Sequence, residues 1–232
     1  MRSRFATRSL RSAGSRISCL IETAVRFTGQ SNGGKHRGPP FGGHRAYPAK
    51  QVGVRQLHTA SATFVDDASA IWRPWFARSL PTTRLVIGHG DLGPWNILAT
   101  NDLAVAFIDW DNAGPVDACW ELAQIVWLNA QLHDDDVAAM NGLPPAAQRA
   151  HQARLILDAY GLDSADRVGF VDRMIEFAIR STREEAVNCN GGSSSPSPAN
   201  DGFPVLWAIT WRARSAAWML DHRRLLEAAI VV

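Results

Sequence analysis

The segment LVIGHGDLGPWNILATNDLAVAFIDWDNAGP, residues 85–115, contains the features that decide the fold. The apolar run at residues 85–87 predicts a strand that leads into a polar loop at 89–95. Residues 103–108 predict a second strand, after the turn signal Asn101-Asp102. The connection between the two strands has the length of a hairpin, so we expect them to pair. Both following loops would then open on the same side of a small sheet.

Three oxygen-bearing side chains lie in these two loops. Asp91 and Asn96 belong to the first loop, and Asp109 follows the second strand. Carboxylate and amide oxygens are the ligands that Mg²⁺ prefers, and a positioned carboxylate can accept the proton of a hydroxyl. Each residue alone is more often an ordinary turn former. Their combined spacing predicts that the three side chains meet around one cation-sized space.

The order of these residues resembles the catalytic loop of protein kinases, H-x-D-L-x-x-x-N. A closer resemblance is to the aminoglycoside phosphotransferase and choline kinase group, in which the loop is His-Gly-Asp and the metal-binding Asp lies in Ile-Asp-Trp. That family continues with a Gly-Pro turn and a helix that begins Trp-Asp-Leu-Ala, where this chain has Trp-Glu-Leu-Ala. The residues that carry the resemblance are His89-Gly90-Asp91, Asn96, Ile108-Asp109-Trp110, Gly114-Pro115 and Trp120-Glu121-Leu122-Ala123.

The resemblance implies a function as well as a fold. Asp91 would be the catalytic base, and Asn96 and Asp109 would hold Mg²⁺ and through it the nucleotide. His89 would brace the loop without touching substrate. The implied reaction moves the γ-phosphoryl group of ATP or GTP to a hydroxyl of a small molecule. The implied fold is α+β, the mostly helical C-terminal lobe of a protein-kinase-like structure with a short β-hairpin that carries the catalytic loop.

Apolar periodicity predicts a helical majority around this hairpin. A helix at 64–80 would precede it, and residues 56–80 also resemble the helix before the catalytic loop in bacterial family members. Asp117 is expected to cap a helix that runs to residue 132. Further helices are predicted at 146–160, closed by Gly161, at 165–188 and at 205–229. Trp207, Trp211 and Trp218 fall on one face of the last helix and are expected in the core. The polar segment 190–202 is predicted to be a linker.

The first 55 residues have a different composition from the rest. Residues 1–62 contain eleven Lys and Arg against one acid and carry +10, whereas the remaining 170 residues carry −8. Glycine and proline are frequent at 29–48, so we expect residues 1–55 to be a disordered basic segment and 56–232 to be the kinase-like unit. A basic segment of this kind is a weak indication of nucleic acid, and we do not expect such a partner.

No glycine-rich phosphate loop or strand lysine of an N-terminal lobe is recognisable in residues 1–55, so that lobe is expected to be absent. Three explanations stay open: a reading frame that differs from the functional one over these codons, a pseudoenzyme that binds without catalysis, or a lobe supplied by a partner. The unusual Arg/Gly/Pro/Ser composition favours the first. The alternative function is therefore a non-catalytic module that confers immunity or resistance by binding a small molecule.

Composition limits the remaining possibilities. Three widely spaced cysteines, with no CxxC pair, argue against a disulfide framework or a zinc site and favour a reducing, cytoplasmic location. No run of 18 apolar residues occurs, so no membrane partner is expected. The charge runs Asp134-Asp135-Asp136 and Glu184-Glu185 are expected to be solvated faces, although a cationic substrate would also suit them. The sequence does not identify the phosphoryl acceptor or the oligomeric state.

Overall fold

The computed structural model describes residues 48–64, 70–100, 103–189 and 205–231. Four short strands and eight helices lie within these ranges. The strands are β1 (Leu85–Gly88), β2 (Ile97–Thr100), β3 (Leu103–Phe107) and β4 (Gly114–Asp117). The helices are α1 (Pro48–Ser61), α2 (Ala118–Asn129), α3 (Asp135–Met140), α4 (Ala146–Tyr160), α5 (Ser164–Arg167), α6 (Phe170–Asn188), α7 (Val205–Asp221) and α8 (Arg223–Ile230). The predicted α+β composition with a helical majority is confirmed, and none of the described helices is long and apolar enough to cross a membrane.

The strands form two antiparallel pairs, and their pairing differs from the prediction. β1 pairs with β4, with Leu85 opposite Asp117, and β2 pairs with β3, with Ile97 opposite Phe107. The expected pairing of β1 with the strand that precedes Asp109 is therefore wrong. The segment at 97–100 was not recognised as a strand. Because it follows the first loop directly, it takes the hairpin position beside β3.

Helix α2 is the centre of the molecule. Every residue from Ala118 to Leu128 is buried, including Glu121 and Gln124. Asp117 caps this helix as predicted, since its Oδ1 accepts hydrogen bonds from the backbone N–H groups of Cys119 at 2.9 Å and Trp120 at 3.3 Å. Its Oδ2 accepts from the backbone N–H groups of Thr83 and Arg84, which lead into β1. One carboxylate thus fixes the first strand to the central helix.

Helices α4, α6 and α7 surround α2. Helix α4 has the predicted bounds and ends at Gly161, whose φ of 75° is the left-handed conformation that favours glycine. The predicted helix at 165–188 is divided at Gly169, also left-handed, and the predicted helix at 205–229 is divided at His222. Trp211 and Trp218 are buried as expected, and Trp207 packs against the core while partly exposed. The predicted linker at 190–202 lies outside the described residues.

Two predictions about the region before β1 are wrong. Helix α1 begins at Pro48, inside the segment predicted to be disordered, and it buries Val54 and Leu57 against the rest of the molecule. The predicted helix at 64–80 is not present over the described residues 70–80, which form an extended segment with one 3-10 turn at Phe76–Ser79. Pro74 lies inside that run, and proline has no N–H to donate and clashes with the preceding turn. Residues 1–47 lie outside the described part.

Candidate functional site

The loop that follows β1 is held by the side chain of His89, which is fully buried. Its Nε2 donates a hydrogen bond to the carbonyl of Ile108 at 2.9 Å, and its Nδ1 accepts from the backbone N–H of Asp91 at 3.3 Å. Burial lowers the pKa of His89, against the opposing effects of Glu121 and the Ile108 carbonyl. A neutral imidazole with its proton on Nε2 satisfies both contacts, so His89 joins the two loops rather than facing a substrate.

Asp91 occupies the end of this loop, in contact with Asn96. The side-chain amide of Asn96 donates to the Asp91 backbone carbonyl at 2.7 Å and to Asp91 Oδ2 at 3.0 Å. The indole N–H of Trp95 lies 3.5 Å from the same carboxylate oxygen. Desolvation raises the pKa of Asp91 to about 6, although the Trp95 and Asn96 hydrogen bonds partly oppose it. Such a carboxylate is a stronger base than an exposed aspartate.

Asp109 follows β3 with an exposed side chain and an uncommon backbone conformation. Its φ of 65° and ψ of 66° lie in the left-handed region, where a non-glycine residue is strained. The next residue, Trp110, has its ring 4.5 Å from that of His89 and donates its indole N–H to the Phe107 carbonyl. These contacts hold Asp109 beside the first loop, and its negative charge is one of the influences that raise the pKa of Asp91.

The structure thus brings His89, Asp91 and Asn96 into contact in one loop, and Asp109 lies in the next loop, which touches the first at Gly90 and is joined to it by His89. Because both amide hydrogens of Asn96 point at Asp91, its carbonyl oxygen is left to face away and can serve as a cation ligand. The Asp109 carboxylate and the Asn96 amide oxygen are ligands of the kind that Mg²⁺ takes when phosphate oxygens and water complete its octahedron. Within the described residues, no group of three or more His, Cys, Asp or Glu is placed to hold a metal ion, so a cation here would need phosphate oxygens among its ligands.

A buried chain of polar groups supports the loop from below. Glu121 on α2 accepts a hydrogen bond from the Gly90 backbone N–H at 2.8 Å, and its other oxygen lies 2.5 Å from His58 Nε2. His58 Nδ1 lies 2.8 Å from the hydroxyl of Tyr160. Burial alone would raise the pKa of Glu121, but the bond and charge of His58, together with the Gly90 N–H, hold it below its usual value. An ionised carboxylate therefore anchors the loop of Gly90 and Asp91 to α1 directly and to α4 through His58.

Two glycines are required by this packing. Gly90 has a φ of 79°, and a Cβ there would lie 2.4 Å from the carbonyl oxygen of Asn112. A Cβ at Gly88 would lie 2.3 Å from Glu121 Oε2. The first glycine lets the two loops touch, and the second leaves room for the buried carboxylate.

Sequence reasoning did not assign several of these supports. His58 lies in the segment that resembled a family helix, but no local pattern indicated that it would meet a residue 63 positions away. Glu121 was noted only as a replacement for the family's usual aspartate. The charge run at 134–136 proved to be mainly structural, since Asp134 pairs with Arg214 and Asp135 pairs with Arg149. Glu184 accepts a hydrogen bond from the Phe76 backbone N–H.

Comparison with known proteins gives two matches. Residues 18–166 match the phosphotransferase enzyme family. The match begins well before residue 56, where the sequence resemblance was expected to start, so it includes residues 18–55. The chain is also 49% identical over 195 residues to the trifolitoxin immunity protein of Rhizobium leguminosarum bv. trifolii, an alignment that covers 84% of this chain and 72% of that protein.

Proposed function

Because this chain belongs to the phosphotransferase enzyme family, we propose that it transfers the γ-phosphoryl group of ATP or GTP to a hydroxyl group of a small molecule. The observation that supports this proposal is the hydrogen-bonded pair Asp91 and Asn96, in a loop that His89 joins to the loop of Asp109. Phosphoryl transfer needs little beyond positioning and charge stabilisation, and these side chains supply both.

In the proposed reaction Asp91 orients the acceptor hydroxyl and takes its proton. The hydroxyl oxygen forms a bond to the γ-phosphorus while the bond from that phosphorus to the β–γ bridging oxygen breaks, and the nucleoside diphosphate leaves. Asn96, through its carbonyl oxygen, and Asp109, through its carboxylate, would hold Mg²⁺, which when bound neutralises charge on the phosphates. Glu121 and His58 keep the Gly90 N–H, and with it Asp91, in place during this step.

The relative named as an immunity protein guides the choice of acceptor. We propose that the acceptor is a toxic compound with a hydroxyl group, and trifolitoxin is the first candidate to test. A second function fits the same similarity: the chain confers immunity by binding such a compound without turnover. Phosphoryl transfer requires Asp91 as a base, whereas binding without turnover does not.

The test is a transfer assay with the full chain, γ-labelled ATP or GTP, Mg²⁺ and hydroxyl-bearing toxins. We expect label in the acceptor, and a loss of about 10²-fold to 10⁴-fold in rate for Asp91→Asn, the usual contribution of a positioned base. Asp111→Asn is the matched control, because Asp111 is an exposed carboxylate two residues beyond Asp109. Protection of cells and tight toxin binding that both survive Asp91→Asn would select the binding module instead.

A further inference from the structure

The guanidinium group of Arg78 binds the backbone of the loop that carries Asp109. Its Nη2 donates to the carbonyls of Asn112 at 2.9 Å and Ala113 at 3.2 Å, and its Nη1 donates to the carbonyl of Pro115 at 3.1 Å. Its Nε donates to the carbonyl of Arg73 at 2.8 Å. One side chain therefore satisfies four main-chain acceptors, three of which lie just after Asp109.

Two of the carbonyls that Arg78 binds, those of Asn112 and Ala113, belong to the short loop before β4, and a third, that of Pro115, lies in β4 itself. Residues 110–112 form a single 3-10 turn, closed by the Ala113 N–H to the Trp110 carbonyl at 3.0 Å. Asp109 itself has left-handed backbone angles, a conformation that persists only where the surroundings fix it on several sides. The His89 contact with Ile108 fixes the loop before Asp109, and Arg78 fixes it after.

The same loop touches the catalytic loop directly. The Asn112 carbonyl, which accepts from Arg78, lies where a Cβ on Gly90 would be 2.4 Å away. Any displacement of Asn112 would therefore change the spacing between the loop of Asp91 and the loop of Asp109. A Cβ on Gly114 would lie 2.5 Å from Arg78 Nη1, so a glycine at this position lets the guanidinium reach its acceptors.

We propose that Arg78 is a positioning residue, which sets the Asp109 carboxylate for Mg²⁺-nucleotide binding by clamping the carbonyls of residues 112, 113 and 115. This inference rests on the proposed function for its ligand. Arginine suits the task because its planar group offers five N–H donors in a fixed arrangement. A lysine at this position has one nitrogen and cannot reach carbonyls spread over four residues, so it would keep the charge and lose the clamp.

The experiment compares Arg78→Lys and Arg78→Gln with the original chain in calorimetric titrations of ATP at a series of Mg²⁺ concentrations. Loss of groups that orient metal ligands commonly weakens metal affinity about 10-fold to 100-fold, and we expect a rise of that size in the Mg²⁺ concentration for half-saturation. Arg167→Gln is the matched control. Arg167 is a buried arginine that binds the Leu162 and Ile230 carbonyls, and it belongs to the helical body.

A merely structural role for Arg78 would lower thermal stability in both variants and in the control without changing Mg²⁺ dependence per folded molecule. That result would overturn the proposal, as would equal Mg²⁺ dependence in all four chains. If Arg78→Gln does not fold, Arg78→Lys decides alone, because it retains the charge and most of the volume.

A second readout separates this proposal from the proposed function. Hydrogen exchange at the Ala113 amide reports the loop without nucleotide, metal or turnover. We expect faster exchange there in Arg78→Lys and unchanged exchange in α4 and α6. If no form of the protein binds nucleotide, the proposed function fails, and the exchange result still supports or overturns the clamp. Unchanged exchange at Ala113 would overturn it.

Discussion

Different interactions stabilise the two regions of this protein, the helical body (α2, α4, α6 and α7) and the four strands with the loops of Asp91 and Asp109. In the helical body, α4 and α6 pack against α2, and most of the largest buried side chains are apolar, such as Phe170, Phe177 and Met174. Around the site, strands of four or five residues carry loops whose geometry depends on a few polar side chains. Asp117 and Arg78 each bind several backbone groups, and Glu121 binds the Gly90 N–H and the His58 ring. Apolar packing tolerates small shifts in many contacts, whereas a polar brace depends on one side chain.

The largest effect should come from Glu121, where the two regions meet. Glu121→Ala leaves His58 Nε2 and the Gly90 N–H buried without their partner, and breaking a buried pair in this way costs about 4 kcal/mol. We expect a large drop in the free energy of unfolding by urea denaturation and a loss of transfer activity in the molecules that remain folded. Full activity per folded molecule would contradict the bracing role.

A core truncation in the body should separate stability from binding. Phe177 is fully buried and its ring lies 5.0 Å from that of Phe76. Phe177→Ala should cost about 3 kcal/mol through lost transfer free energy and the cavity that remains. Urea denaturation measures this loss, and Mg²⁺-nucleotide affinity of the folded fraction should stay within about twofold of the original. If Phe177→Ala weakened Mg²⁺ affinity as much as is expected for Arg78→Lys, the helical body and the site would not be independent.

Asp117 offers a smaller test at the boundary of β4 and α2. Its carboxylate caps α2 and also binds the backbone at Thr83 and Arg84, so Asp117→Ala should cost about 2 kcal/mol, at the upper end for a helix cap. Burial alone would raise the pKa of Asp117, but the N–H groups of Arg84, Thr83 and Cys119 keep it below its usual value. Asp117→Asn, which keeps an acceptor oxygen, should recover part of the loss in thermal unfolding.

The smallest effect should be a pH dependence in the body. Burial, helped by Arg149, lowers the pKa of His133 to about 3. An unfolded chain binds a proton there below about pH 6.5, and the folded chain does not, so stability falls as the pH drops through that value. The difference between pH 7 and pH 5.5 should be about 1 kcal/mol. His133→Gln, which does not titrate, should remove that part of the slope; an identical slope would contradict the assignment.

The sequence predicted the parts of this protein that depend on neighbours along the chain. Helix α4 and its closing Gly161 were predicted with the observed bounds, and Asp117 was identified as a cap, because periodicity and capping are local signals. Motif order predicts that Asp91, Asn96 and Asp109 meet around one cation-sized space. Asp91 and Asn96 are hydrogen-bonded, and the loop of Asp109 touches theirs at Gly90, while the shared space and the catalytic and metal-binding roles stay predictions.

Features that depend on distant partners could not be predicted in this way. The sequence predicts that β1 pairs with β3, whereas β3 pairs with β2. Segment 97–100 is a short apolar run directly after the loop, and spacing alone does not decide which of the two segments becomes the partner of β3. His58 meets Glu121 across 63 positions, and Arg78 binds Asn112 across 34. The helical signal at 64–80 included Ile71, which is exposed, and it took no account of Pro74.

The tight fit of Gly88 against Glu121 couples the residue types that these two positions can hold. With glutamate at 121, its carboxylate fills the space in which a side chain at 88 would begin. An aspartate is one methylene shorter and would vacate that space, so Glu121→Asp in this chain should make room for a larger residue at position 88. The two positions should therefore mutate as a pair, with the glycine arriving before or together with the longer acid.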